Sequence, residues 1–229
     1  PVIALVKGFW KYLGFQFDFQ GDENIPRKGG AILAINHVSY LDFAIAGTGA
    51  LPVKRFVRFM AKKEIFDHKI AGPLMRGMHH INVDRNNGAP SYVAALKALK
   101  AGEIIGIFPE ATISTSFEIK QLKSGALRLA VDAGVPIVPT IVWGGQRVST
   151  KGVKPNFKRG KTPVSVSFGE PIHRRQYRPT QYPPCRRDVS SGASAYPWDR
   201  VPPRACCTIE SSPRVTCESA SSFFRPCVS

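Results

Sequence analysis

His37 and Asp42 stand five positions apart in "AINHVSYLDF", where a run of small apolar residues gives way to a second apolar run. An imidazole whose Nδ1 proton is held by a carboxylate keeps Nε2 free as a base, so these two residue types could remove a proton from a hydroxyl. Their spacing limits how they can meet. Five residues of continuous helix turn about 500° and leave the side chains roughly 140° apart, so a turn must separate them. Ser39 and Asp42 also fit a variant capping box, with Ser39 as N-cap and Asp42 in the first helical turn. The readings are compatible, because a helix dipole holds such a carboxylate ionised while His37, just upstream, folds back onto it. The plain alternative is a histidine satisfied by local backbone at a strand end.

Holding such a pair requires rigid elements on both sides, and the flanking sequence supplies them in alternation. "FQFDFQG" alternates Phe15, Phe17 and Phe19 with polar partners, as a half-buried strand does. From residue 30 the pattern predicts strands over 30–37, 55–62, 79–85, 103–110, 136–144 and 163–172. Helices are expected over 40–51, 71–78, 89–102 and 124–134. This order implies an α/β fold, a mostly parallel sheet flanked by helices, whose ligands bind beyond the carboxyl ends of the strands. Those ends carry His37, the Lys62–Lys63 pair, Arg85 and Glu110. A base, a carboxylate and several cations gathered at one edge suit proton abstraction from a substrate bearing an anionic group. Taken singly, Arg85 and the lysines read as solvated charges, and Glu110 as a cap that is costly to bury unpartnered. No histidine or cysteine pair has metal-ligand spacing, so no metal is expected.

The chain carries 32 Lys and Arg against 16 Asp and Glu, a formal +16 that calls for an anionic partner. Residues 1–178 hold 26 of the basic and 12 of the acidic groups, so the excess belongs to the part that is patterned to fold. Residues 179–229 contain all five cysteines, eight of the nineteen prolines and no lysine, with no period of 2 or 3.6. They read as a disordered or aberrant tail, with a disulfide framework as the competing possibility. The sequence opens at Pro1 rather than a methionine, leaving room for a preceding segment. No stretch approaches the roughly 20 apolar residues that a membrane-crossing helix needs. "PVIALVKGFWKYLGF", however, sets Val2, Leu5, Val6, Phe9, Trp10 and Leu13 at helical spacing beside Lys7 and Lys11. That pattern fits an interfacial amphipathic helix or a helix packed on the core. Three regions are expected: an interfacial segment with the first strand over 1–20, a catalytic domain over 21–178, and the tail.

Four blocks, in order, resemble the glycerolipid acyltransferase family of the 1-acylglycerol-3-phosphate acyltransferase type, over about residues 1–175. "NHVSYLD" matches its NH-x4-D block at Asn36, His37 and Asp42, and "RGMHHINVDR" places its acceptor-binding arginine on Arg85. "FPEATI" matches FPEGTR at Phe108, Pro109, Glu110 and Thr112, and "GVPIVP" matches the apolar fourth block. The resemblance implies a glycerol-3-phosphate acyltransferase-like fold with a membrane-contacting N-terminal helix. It implies transfer of an acyl group from acyl-CoA or acyl carrier protein to the hydroxyl of a lysolipid. His37 and Asp42 would be catalytic, and Asn36, Lys62, Arg85, Glu110 and Thr112 would bind substrate, with no cofactor. The expected setting is an anionic membrane surface on the cytoplasmic face. Two departures stand out, Ala111 for glycine and Ile113 for arginine, with Lys120, Lys123 or Arg128 as substitute cations. They open a lysophospholipid or glycolipid acceptor, or a non-catalytic lipid-binding relative, as alternatives. A nucleic-acid-binding role has the charge but none of the usual module signatures.

Overall fold

The computed structural model describes residues 2–69, 71–173 and 176; the tail expected over 179–229 lies outside them. Among the described residues, seven strands form one sheet: β1 (Phe15–Gln20), β2 (Ala31–Ile35), β3 (Val57–Lys62), β4 (Ile81–Val83), β5 (Ile104–Ile107), β6 (Ile137–Trp143) and β7 (Thr162–Phe168). The spatial order is β1-β7-β6-β2-β5-β3-β4, and every pairing is parallel except β6 with β7. The helices that connect or cover them are α1 (Val2–Leu13), α2 (Asp42–Gly49), α3 (Lys63–Asp67), α4 (Ala71–Gly77), α5 (Ala89–Lys100) and α6 (Gly125–Ala133).

The central strand shows why the sequence folds this way. In β2, "AILAI" has no polar residue to face water, and four of its five positions are buried, as a parallel strand covered on both faces requires. Its neighbours β5 and β6 bring Ile104, Ile105, Val138 and Val142 into the same core. β1 sits at the sheet edge, and its strict alternation matches one half-buried and one exposed face. The carboxyl ends of β2, β3, β4, β5 and β6 point the same way, so the loops after them share one edge.

Two local features differ from the sequence reading. α2 starts at Asp42, two residues later than its apolar pattern suggested, because Asp42 bonds backward to the loop. The five-residue α3 lacks a periodic signal of useful length. In keeping with the mostly parallel sheet expected, β7 returns antiparallel to β6 through a loop with no crossover helix.

The chain divides at Ile172, and the first twenty residues belong to the unit Pro1–Ile172. In the other, His173–Ser229, the His173 N–H donates to Gln176 Oε1 at 2.6 Å and the Gln176 N–H to the His173 carbonyl at 2.8 Å. α1 keeps Trp10 and Leu13 buried and leaves Ile3, Leu5 and Tyr12 exposed. The Trp10 indole donates to Thr48 Oγ1 at 3.0 Å, so the tryptophan expected at an interface is a core residue. No helix among the described residues is long and apolar enough to cross a membrane.

Candidate active site

The turn between β2 and α2 brings His37 and Asp42 together. His37 Nδ1 lies 3.1 Å from Asp42 Oδ2, and the same oxygen accepts the Val38 and Ser39 N–H groups at 2.8 and 2.7 Å. Three donors on one oxygen fix the carboxylate, and the carboxylate fixes the tautomer: Nδ1 carries the proton and Nε2 is left as the base. Nε2 has no protein partner among the described residues, and the His37 side chain is 21% exposed. Asp42 is fully buried. Burial pushes its carboxyl above the ordinary value of 3.8, while the bonds from His37, Ser39 and Val38 pull it down. Its second oxygen, Oδ1, is buried without a partner. A carboxylate so poorly solvated is stabilised by positive charge placed beside it.

The capping box is half formed. Asp42 reaches back to the Ser39 N–H, but Ser39 Oγ serves the loop instead, accepting from the Leu41 N–H at 3.0 Å and donating to the Ser149 carbonyl at 2.7 Å. The Tyr40 N–H also donates to Ser149, and Thr150 Oγ1 donates to the Val38 carbonyl at 2.7 Å. Residues 149–150, from the segment after β6, therefore strap the turn of residues 37–42 in place. Nothing in "VST" announces this, because the partners lie more than a hundred residues apart.

The loop after β5 closes the other side. Glu110 is only 4% exposed, and both its oxygens accept backbone N–H groups, Oε1 from His37 at 2.9 Å and Oε2 from Lys120 at 3.2 Å. The Ser114 N–H donates to the His37 carbonyl at 2.7 Å, so both backbone groups of His37 are held by residues 110–114. Phe108 stacks on the imidazole with centroids 4.2 Å apart, and Phe59 stacks on Phe108 at 6.2 Å. Gly106 makes room for this column, since a Cβ there would lie 2.4 Å from the Phe59 ring.

The other residues singled out by sequence take distinct places. Asn36 spends its amide on β6, donating to the Val142 carbonyl at 3.1 Å and accepting the Val142 N–H at 2.8 Å. Arg85 donates to the Ala111 carbonyl at 3.1 Å, joining the β4 end to the Glu110 loop. Thr112 is exposed in that loop, and Lys62 is exposed at the end of β3. Ile113 is 6% exposed, so this side chain packs inward where the family pattern has an arginine. Lys120 instead brings its ammonium to the Ile113 carbonyl at 3.2 Å. Ala111 has φ 57°, the left-handed region that its glycine counterpart would enter freely. No group of three His, Cys, Asp or Glu among the described residues could hold a metal.

A base oriented by a buried carboxylate, with an open Nε2 and no serine bonded to it among the described residues, is equipment for activating a substrate hydroxyl directly. Residues 16–143 match the family model described as Acyltransferase, and the chain belongs to that family. It is 36% identical over 156 residues to the 1-acyl-sn-glycerol-3-phosphate acyltransferase of Bacillus subtilis, covering 68% of this chain and 73% of that protein. The enzyme of the same name from Limnanthes alba is 30% identical over 172 residues, covering 72% and 57% of the two chains. The crystal structure of the 1-acyl-sn-glycerophosphate (LPA) acyltransferase PlsC from Thermotoga maritima matches with TM-score 0.60 at 27% identity, covering 75% of this chain and 69% of that one. The protein is an acyltransferase.

Proposed function

We propose that the protein transfers a fatty acyl group from an acyl thioester to the free hydroxyl of 1-acylglycerol-3-phosphate, giving phosphatidic acid. The observation that carries this reading is the open Nε2 of a His37 held by Asp42, beside a turn on which two cations converge. Nε2 takes the hydroxyl proton as the oxygen attacks the thioester carbonyl. The tetrahedral intermediate collapses by breaking the carbon–sulfur bond, and the imidazolium returns the proton to the departing thiolate. Such a base contributes typically 10²- to 10⁴-fold, and Asp42 stabilises the transient imidazolium.

For the acceptor's phosphate, Arg85 and Lys120 each rest on a carbonyl of the 111–113 turn, and neither has a carboxylate within salt-bridge distance among the described residues. An unpaired guanidinium and ammonium on one short turn suit a dianionic headgroup. The donor is acyl-CoA or acyl carrier protein, and the acceptor is drawn from an anionic membrane surface on the cytoplasmic face.

The inward-facing Ile113 favours a second reading, a lysophospholipid or glycolipid acceptor, because the family's cation is missing there. Labelled acyl transfer to lysophosphatidic acid, lysophosphatidylcholine and a glycolipid separates the two. The proposal expects lysophosphatidic acid to be preferred, and Arg85→Ala with Lys120→Ala to raise its KM while sparing that of the donor. Equal use of uncharged acceptors by the parent enzyme would favour the second reading.

A further inference from the structure

Residues 151–161, "KGVKPNFKRGK", carry five cations and no acid. Residues 151–160 are exposed at every position, and the apolar side chains there are not folded away: Val153 is 65% exposed and Phe157 45%. Val153 and Phe157 thus leave apolar surface open on the same loop that carries these cations. The same loop is anchored at three points. The Asn156 N–H donates to the Val148 carbonyl at 2.7 Å, the Gly160 N–H to Leu13 at 3.2 Å and the Thr162 N–H to Gly14 at 3.2 Å. Gly14, at φ 69°, allows the approach, because a Cβ there would fall 1.7 Å from the Gly160 carbonyl oxygen.

These anchors set the loop against α1. The Phe157 ring lies 6.2 Å from that of Phe9, and Leu5 and Tyr12 stand one turn before and after Phe9 on the same stripe, 68% and 58% exposed. Lys7 and Lys11 are exposed on the same helix but lie about 200° round it from Leu5 and Phe9, so the positive charge beside this stripe comes from the loop. The result is one patch, built from two segments far apart in sequence, that pairs open apolar side chains with unopposed positive charge.

We infer that this patch is a membrane-docking surface whose second half is the 151–161 loop, and that its partner is an anionic lipid bilayer. The charge selects the partner: apolar side chains ringed by lysine and arginine enter the acyl boundary while the cations meet anionic headgroups. Val148, Ser149 and Thr150 tie the loop to the catalytic turn. The first binds Asn156, and the next two grip Val38, Ser39 and Tyr40. Seating the loop in a bilayer thereby fixes how far the His37 turn stands from the surface that carries the acceptor. The inference rests on the reading of the acceptor as a bilayer lipid.

The test compares the parent chain with Val153→Ser/Phe157→Ser and with Lys154→Glu/Lys158→Glu, all at exposed positions outside the catalytic turn. Flotation with phosphatidylglycerol-containing vesicles, with phosphatidylcholine vesicles and with no lipid is read first, because it needs no enzymatic activity. The parent should float with anionic vesicles only, and each double variant should bind at least about tenfold more weakly. Transfer to an acceptor embedded in anionic vesicles should fall with binding, while transfer to a detergent-dispersed acceptor stays at the parental rate. Unchanged flotation of both variants would overturn the inference. So would a parent that ignores anionic vesicles but binds duplex DNA, or one that self-associates through this patch. Retained flotation behaviour in a chain that transfers no acyl group would count against the acceptor reading alone.

Discussion

Two buried carboxylates flank His37, and they are treated in opposite ways. Asp42 offers one oxygen to three donors and leaves the other orphaned, with its carboxyl pushed up by burial. Glu110 is nearly as buried, yet each oxygen has a backbone N–H of its own. A fully satisfied carboxylate bound to backbone is a fastener: it holds the His37 peptide and the 120 segment at fixed spacing. A carboxylate with unmet capacity beside a titratable ring is a reservoir for developing charge. Two acids of the same chemical class near one histidine thus divide into reaction and positioning according to where their lone pairs go.

Exchanging each for its amide should separate the roles. Asp42→Asn keeps an oxygen for the Val38 and Ser39 N–H groups but removes the charge that stabilises imidazolium, so turnover should fall on the order of 10²-fold or more. Its stability should behave otherwise. A folded pKa raised above the unfolded value confers stability that is present below the unfolded pKa and lost as pH rises through the folded one. At neutral pH the ionised Asp42 is therefore a burden, and thermal unfolding should show the Asp42→Asn variant no worse than the parent. A large loss of stability with turnover intact would reverse the assignment.

Glu110→Gln should do the opposite. One backbone N–H would face an amide NH2, a buried mismatch costing about 1–3 kcal/mol, measurable as a lower denaturant midpoint. Activity per folded molecule should fall less than in Asp42→Asn. If Glu110→Gln proved the more damaging to turnover at equal stability, Glu110 would be acting on substrate rather than on backbone.

How much of this contrast is legible in sequence depends on the range of the partners. The alternation of apolar runs was enough to anticipate a parallel sheet and to bring His37, Lys62, Arg85 and Glu110 to one edge, because those residues follow strands directly. Asp42 was legible too, since its partners are all within five residues. Asn36 and Glu110 were not. Their roles are fixed by Val142 and by Lys120 and His37, contacts that span 106, 10 and 73 residues and leave no local pattern. Trp10 misled for a related reason: an amphipathic helix states which residues are apolar, not which of them a sheet will cover.

A smaller effect concerns the aromatic column behind His37. His80 Nδ1 accepts the Phe59 N–H at 3.0 Å, a bond only the neutral ring can make, and burial with the nearby Arg58 charge holds it at about 4 instead of 6.5. The unfolded chain therefore binds the extra proton first, so stability should rise with pH between about 4 and 6.5 and level off above. His80→Asn retains an acceptor without a titration in that window, and denaturation across the range should show a flatter acid limb. An unchanged limb would assign the acid sensitivity elsewhere.

The smallest expected effect is at Ala111, whose left-handed backbone suits glycine. Ala111→Gly should stabilise by up to about 1 kcal/mol, the relieved strain being partly offset by a more flexible unfolded chain. A lower melting temperature would show that the alanine methyl makes contacts worth more than the strain.

The central claim is that His37 Nε2 removes the acceptor's proton, and His37→Ala tests it most directly. Single-turnover acyl transfer by the purified variant, with folding verified by its unfolding transition, should be slower by on the order of 10²- to 10⁴-fold at saturating acceptor. A folded His37→Ala protein that transfers within about threefold of the parent rate, far inside that range, would contradict the account.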